Sequence, residues 1–378
     1  MTEDDPEPKR VIDVNEIRDP SILAHGLDRA DRAYWLYYDE TQNIRRLHLE
    51  RGTLNIAAPD CWVLGGVGRP DDTPIDLAPL RQRARIQASA EELKFHLFGQ
   101  KGGDLLDALA KPKMETFLDW VIEQDLLVHY LALDPFYWAI VDIIDSALPD
   151  DPGMLVMAIP QLKSDLFRLL RSDRDRAASL MVRFNYPDIA PQNRAPFMTA
   201  LIDWLSEAEE AFDHFDYQML RGVLQMGRRK PLTFIEGETP HVLIDGFRTF
   251  FIERICLLKN ARHVFDQEDV VAAELAKMEF EDDGFQFCNH RFAPRSHDEP
   301  GVQASDIMAS LIGRLFSWAA GVDDEDVMET RAALTPLQER SRQRLSTLIR
   351  ASRAENDALT NAVVSLEDQR KIAGFLDL

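Results

Sequence analysis

Cysteine is scarce in this chain of 378 residues: Cys61, Cys256 and Cys288 are the whole complement. An odd number at such distances argues against a disulfide framework and a zinc knuckle, so a reducing compartment or a plain core role is expected for them. Long apolar runs are missing too. No stretch approaches the ~20 residues that cross a bilayer, so no membrane partner is expected. The start, Met1-Thr2-Glu3-Asp4-Asp5-Pro6-Glu7-Pro8, is acidic without signal-peptide character, which points to the cytoplasm. Positive charge is short as well: 65 acids against 43 bases leave a formal charge of −22. Such a chain repels polyanions at long range. A nucleic-acid partner would have to be engaged locally, with help from metal.

Several chemical signatures are also lacking. Gly65-Gly66-Val67-Gly68 has no Gly-Lys-Ser/Thr after it, so it reads as a strand end and not as a phosphate-binding loop. No histidine stands beside a serine or cysteine in a nucleophile motif. Cys288, His290 and His297 have irregular spacing and no evident fourth partner for a tetrahedral zinc site. The basic stretches at Arg221, Arg228, Arg229 and Lys230, and at Arg340, Arg342, Arg344, Arg350 and Arg353, read as solvated helix faces before phosphate tracks. There is no internal repeat and no low-complexity tract.

What is present is an apolar fraction of 45% with six tryptophans, enough for a full core and a sizeable insertion. The chain is strand-rich first and helix-rich afterwards. Apolar runs bounded by turn residues predict strands at 33–38, 43–49 and 61–67, with turns at Thr41-Gln42-Asn43 and Ala58-Pro59-Asp60; such short connections favour an antiparallel meander. A helix is expected over 80–90, and a fourth strand over 126–133, stopped at Asp134-Pro135. From 136 to 258 helical periodicity dominates. A fifth strand is expected at 263–265, ending at Asp266, then a helix over 268–278, a short strand at 285–288 and a loop over 293–301. Ile307, Met308, Leu311, Ile312, Leu315 and Phe316 recur at three and four residues, which predicts a buried helix from about Gln303. Beyond Gly321 the chain turns polar and helical.

Two strings at opposite ends of this pattern hold the chemistry. Tyr37-Tyr38-Asp39-Glu40 puts an aspartate at the close of a strand, and Val302-Gln303-Ala304-Ser305-Asp306 puts one at the opening of a helix. If the fold joins them, they form a carboxylate cluster, an expensive arrangement unless a divalent cation neutralises it. Otherwise Asp39 simply ends a strand and Asp306 favours a helix N-terminus. Glu40 would point to the opposite side of a regular strand from Asp39.

The order of these motifs resembles the ribonuclease H-like fold and, within it, the family called domain of unknown function 3800. Asp39-Glu40-Thr41-Gln42 stands where that family has Asp-Glu-Ser-Gly after its first strand. Val63-Leu64-Gly65-Gly66-Val67 matches its strand ending in small residues, Glu92-Leu93-Lys94 its Glu-Leu-Lys, and Phe265-Asp266 its late strand ending in Asp. Val302-Gln303-Ala304-Ser305-Asp306 is close to its Leu-Gln-x-Ala-Asp. Thr41-Gln42 in place of Ser-Gly changes a tight turn, and Ser305 in place of Ala adds a hydroxyl. The matched stretch runs from about 33 to 320; the helical block in its middle matches nothing in the family pattern.

The resemblance implies an α/β, five-stranded mixed sheet interrupted by a large helical insertion and followed by C-terminal helices. The expected divisions are an acidic tail over 1–30, core over 31–135, insertion over 136–258, core again over 259–322 and an extension over 323–378. It implies a nuclease that hydrolyses phosphodiester bonds with Mg2+ or Mn2+, since two such ions about 3.5–4 Å apart activate water and steady the leaving oxygen. Asp39 would bridge the ions, Asp306 would be the ligand from the last helix, and Glu92 a ligand or base. Lys94 would contact phosphate or offset the acids. The fourth acid is Asp266 by motif or Asp134 by its place at the end of the predicted fourth strand, which in the usual order of that fold lies directly beside the first. The alternative is a noncatalytic module of the same fold that binds a protein partner through the helical insertion.

Overall fold

The computed structural model describes residues 9–42, 44–56 and 60–378. The acidic stretch 1–8, Asn43 and the Ala58-Pro59 turn positions lie outside the described residues. The chain is α/β, built on one mixed sheet of six strands. In chain order these are β1 (Trp35–Thr41), β2 (Trp62–Arg69), β3 (Leu127–Leu133), β4 (Arg262–Phe265), β5 (His290–Phe292) and β6 (Thr360–Val363). Their spatial order is β5-β4-β1-β2-β3-β6. Strands β1 and β2, and β2 and β3, pair antiparallel, with Asp39 opposite Gly65 and Gly65 opposite Tyr130. The outer pairs are parallel: β4 on β1, β5 on β4, β6 on β3.

Burial explains why the central strands read as unbroken apolar runs. Trp62 through Gly68 and Val128 through Leu133 are buried without interruption, as expected where both faces of a sheet are covered. Alternate residues serve opposite cores. Val63, Val67, Val128 and Tyr130 face the helix Pro300–Gly321, backed by Pro336–Glu355 and Leu366–Leu376. Leu36, Tyr38, Trp62 and Leu131 face the helix Arg248–Leu257 with Ile12 and Val14. A third core lies within the helices between Pro135 and Gly227, where Ile140, Leu166, Leu201 and Leu220 meet.

Several expectations are corrected. The sheet has six strands, not five, because His290–Phe292 joins β4 at one edge and Thr360–Val363, in a region that reads as helical, joins β3 at the other, while one expected strand leaves it. The predicted second strand is real at Arg46–Glu50 but leaves the main sheet. It pairs with Thr53–Leu54 and Val242–Asp245 in a small sheet, so β1 pairs directly with β2. Leu47 and Leu49 are buried there and their neighbours are not, so the alternation that marks a strand says nothing about which sheet receives it. The helix expected over 80–90 is only Ala78–Arg83, and the chain then runs without regular structure through Lys94. Residues 10–25, expected within the acidic tail, form a strand and a helix. The final core helix starts at Pro300, so Asp306 is in its second turn and the N-terminal dipole reading of that residue fails.

Several side chains of the basic stretches are committed to ion pairs and carbonyls. Arg340 pairs with Glu115 at 2.6 Å, Arg342 with Glu339 at 2.7 Å, and Arg344 with Asp119. Lys230 donates to the Leu148 carbonyl. Arg342 is buried outright. These four side chains are held in contacts within the fold.

Candidate functional site

Strand β1 places Asp39 on the same side as Tyr37 and Thr41, by alternation. That side is covered by the Pro300–Gly321 helix, and the approach is close. A side chain at Gly301 would strike the Tyr37 ring at 2.2 Å, and one at Gly313 would meet Thr41 Cγ2 at 2.5 Å. Ser305 explains how a helix can sit so near a sheet. Its hydroxyl accepts from Val67 N–H at 3.1 Å and lies 2.7 Å from the Tyr37 carbonyl and 2.8 Å from that of Gly301. One hydroxyl thus serves backbone groups on two adjacent strands, which would be costly to bury without partners. The substitution of serine for alanine in the motif therefore has a structural consequence.

Asp266 follows β4 directly. Tyr38 is in register with Phe265, and Asp266 N–H donates to the Tyr38 carbonyl at 3.0 Å, which brings Asp266 alongside Asp39 just past the last parallel pair of the two strands. Asp134 is elsewhere. Strand β3 is separated from β1 by β2, so the expectation that residues 126–133 lie directly beside the first strand is overturned. Asp134 caps the helix Pro135–Ala147, accepting from Phe136 N–H at 2.8 Å and Tyr137 N–H at 3.0 Å. Of the two candidates, Asp266 is the one beside Asp39.

The Glu92-Leu93-Lys94 segment is held by the helix motif. Leu93 N–H donates to Gln303 Oε1 at 2.9 Å, and Phe95 N–H donates to Asp306 Oδ1 at 2.6 Å. Gln303 and Asp306 are three apart on one helix face and capture two amides two apart on an extended chain. Leu93 and Phe95 point into the core, and Glu92 and Lys94 point the other way. Lys94 Nζ lies 3.1 Å from Glu92 Oε1 and 3.3 Å from Asp306 Oδ2. Gln303 also donates to the His297 carbonyl at 2.9 Å, so one amide side chain ties three segments. Its tethering role was not legible in the sequence, although the motif contains it.

The electrostatics tie the five residues together. Burial pushes the Asp39 carboxyl well above the usual range, and the nearby carboxylates of Asp306 and Asp266 push it further; Lys94 and the Glu40 N–H, at 2.7 Å from Oδ1, act the other way. Asp266 is raised chiefly by burial, against the backbone N–H of Gln267 and the charge of Lys94. Burial alone would lower the Lys94 ammonium, but Asp306, Asp39 and Glu92 outweigh it and the group is raised. Asp39 and Asp266 open onto a cavity of about 300 Å³, which Glu40, Arg45, Gln267 and Glu268 also line.

Four carboxylates and one ammonium make an oxygen-only donor set with excess negative charge, the chemistry that suits Mg2+ or Mn2+. As the side chains stand, no three His, Cys, Asp or Glu among the described residues are grouped so as to hold a metal ion. That holds equally for Cys288, His290 and His297, and Cys288 Sγ instead faces the His290 carbonyl at 3.7 Å. Among the described residues no helix is long and apolar enough to cross a membrane. The chain is thus an α/β protein with a carboxylate–lysine cluster drawn from two adjacent parallel strands, a helix and an irregular segment. Comparison with protein-family models, curated proteins and solved structures finds no match to it.

Proposed function

We propose that the chain is a ribonuclease H-like, divalent-metal-dependent nuclease related to the family called domain of unknown function 3800. The observation that carries this reading is the side-by-side placement of Asp39 and Asp266 at parallel strand ends, with Asp306 brought against Asp39 by a helix on the same face. Counting β1, β2 and β3 as the meander makes Arg262–Phe265 the fourth strand, parallel beside the first as that fold requires. Ligands of open α/β sheets gather at such carboxyl ends. Asp39, Asp266, Asp306 and Glu92 would hold Mg2+ or Mn2+, and Lys94 would meet a phosphate oxygen. When bound, such ions activate the attacking water and steady the leaving oxygen.

The test is cleavage of a panel of single- and double-stranded DNA, RNA and hybrid in Mn2+. Wild type is expected to cut at least one substrate, and Asp39→Asn and Asp306→Asn to lose at least about 100-fold of that rate while folding normally. Unchanged cleavage in both variants would refute the site.

A second reading, a noncatalytic module binding a protein partner, is favoured by a separate observation. The helical block has an apolar cavity of about 680 Å³ beside Met154, Met157 and Phe215, all three strongly exposed. No metal-dependent cleavage of any substrate would move the assignment there.

A further inference from the structure

Both oxygens of Asp306 already have partners, and the one not tied to the backbone faces Lys94. Asp306 Oδ1 anchors Phe95 N–H at 2.6 Å, and Oδ2 faces Lys94 Nζ at 3.3 Å. Asp39 is in a similar position, with Oδ1 taken by the Glu40 N–H. Lys94 also reaches Glu92 Oε1 at 3.1 Å, so its ammonium sits between two of the four acids and within electrostatic reach of Asp39 and Asp266. The backbone on either side is pinned through Leu93 and Phe95. The side chain is not: it is 31% exposed, and four methylenes give it room to swing.

We propose, resting on the metal-dependent reading above, that Lys94 is a tethered counter-cation that holds the carboxylate cluster closed without metal and is expelled from Asp306 and Glu92 when a divalent ion enters. An ammonium and a divalent cation repel strongly at the few ångströms the two carboxylates allow, so both cannot hold Asp306 Oδ2. The arrangement agrees with this: Glu92 and Asp306 are both set around the one lysine. It also links two events. Metal entry frees a charged lysine on a fixed backbone beside the site, where a phosphate oxygen gives it a new partner.

The test is calorimetric titration of Mn2+ alone, without nucleic acid, into the full chain and into Lys94→Met, Lys94→Gln and Lys94→Arg. Removing the competing charge is expected to tighten Mn2+ binding at least about 10-fold in both Lys94→Met and Lys94→Gln, and Lys94→Arg, which keeps the charge, should stay near wild type. Without metal the two neutral variants should melt below wild type, and Mn2+ should raise their melting temperatures more than that of wild type. Lys94→Gln serves if Lys94→Met does not fold. Equal or weaker Mn2+ binding by folded neutral variants, with binding by wild type intact, overturns this proposal and leaves the metal reading standing. Binding by none of the four proteins overturns both.

Discussion

A methyl group on Gly66 would lie 2.1 Å from Ser305 Oγ and 2.5 Å from the Tyr37 carbonyl oxygen. Both neighbours are fixed, one by hydrogen bonds to two strands and the other by the sheet ladder, so neither can yield. The glycine is needed for close approach, and the run that lacks a phosphate-binding loop's lysine has a different purpose: it lets a helix touch the sheet beside Asp39. Gly66→Ala should therefore cost about 3 kcal/mol or more, and it should separate Asp306 from Asp39. Urea unfolding gives the first quantity. A loss below about 0.5 kcal/mol, the ordinary effect of a surface change, would show that the contact yields easily. The same residues show what a sequence can say about a site. Asp39, Glu92, Lys94, Asp266 and Asp306 come together here, and each is visible in the chain as an acid or base at the end or edge of a predicted element. What joins them is Gln303, Ser305, Gly66 and Gly301, whose work is contact across more than two hundred residues of sequence, beyond the reach of any local pattern.

At the scale of elements, strands β1 to β4 are legible because each is an apolar run stopped by a turn or a charge. Thr360–Val363 is not. Four residues with an asparagine among them carry almost no strand signal, and the pairing with β3 comes from burial of the flanking segments. Neighbour relations are equally hidden: the antiparallel meander is present, but with Leu127–Leu133 as its third strand and Arg46–Glu50 diverted to a second sheet. That single difference puts Asp266, and not Asp134, beside Asp39. The C-terminal segment is likewise integral to the fold. Phe375 is fully buried and its ring centroid lies 4.4 Å from that of Trp318 on the Pro300–Gly321 helix. Behind it, Lys371 pairs with Glu367 at 2.7 Å, and Arg171 of the helical block reaches Asp368 at 3.2 Å. Phe375→Ala should lower the stability of the core by about 3–5 kcal/mol, read as a shift of the main denaturation transition. A change confined to fraying of the last helix, seen as faster amide exchange there alone, would show the extension to be an appendage.

For the whole molecule, charge and site pull in opposite directions. A formal charge of −22 opposes approach of a polyanion, and the arginines of the Pro336–Glu355 helix include three already paired with Glu115, Asp119 and Glu339. A nuclease that recognises its substrate through a basic track loses affinity steeply with salt, because each phosphate contact releases counterions. Here the opposite is expected. Between about 0.02 and 0.15 M NaCl, where the screening length falls from roughly 20 to 8 Å, salt weakens the long-range repulsion more than it weakens contacts at the site. At fixed Mn2+ and on the substrate it cuts, KM should stay level or fall over that range, with kcat little changed. A KM that climbs steeply would mean a cationic surface that assembles with the substrate or a partner, and Arg45, Arg46 and Arg248, which line a cavity of about 390 Å³ adjoining the site through Glu40 and Glu268, would be the first to substitute. A level or falling KM instead leaves the carboxylates and Lys94 as the recognition machinery, with divalent metal as the charge that lets an acidic protein hold a phosphodiester.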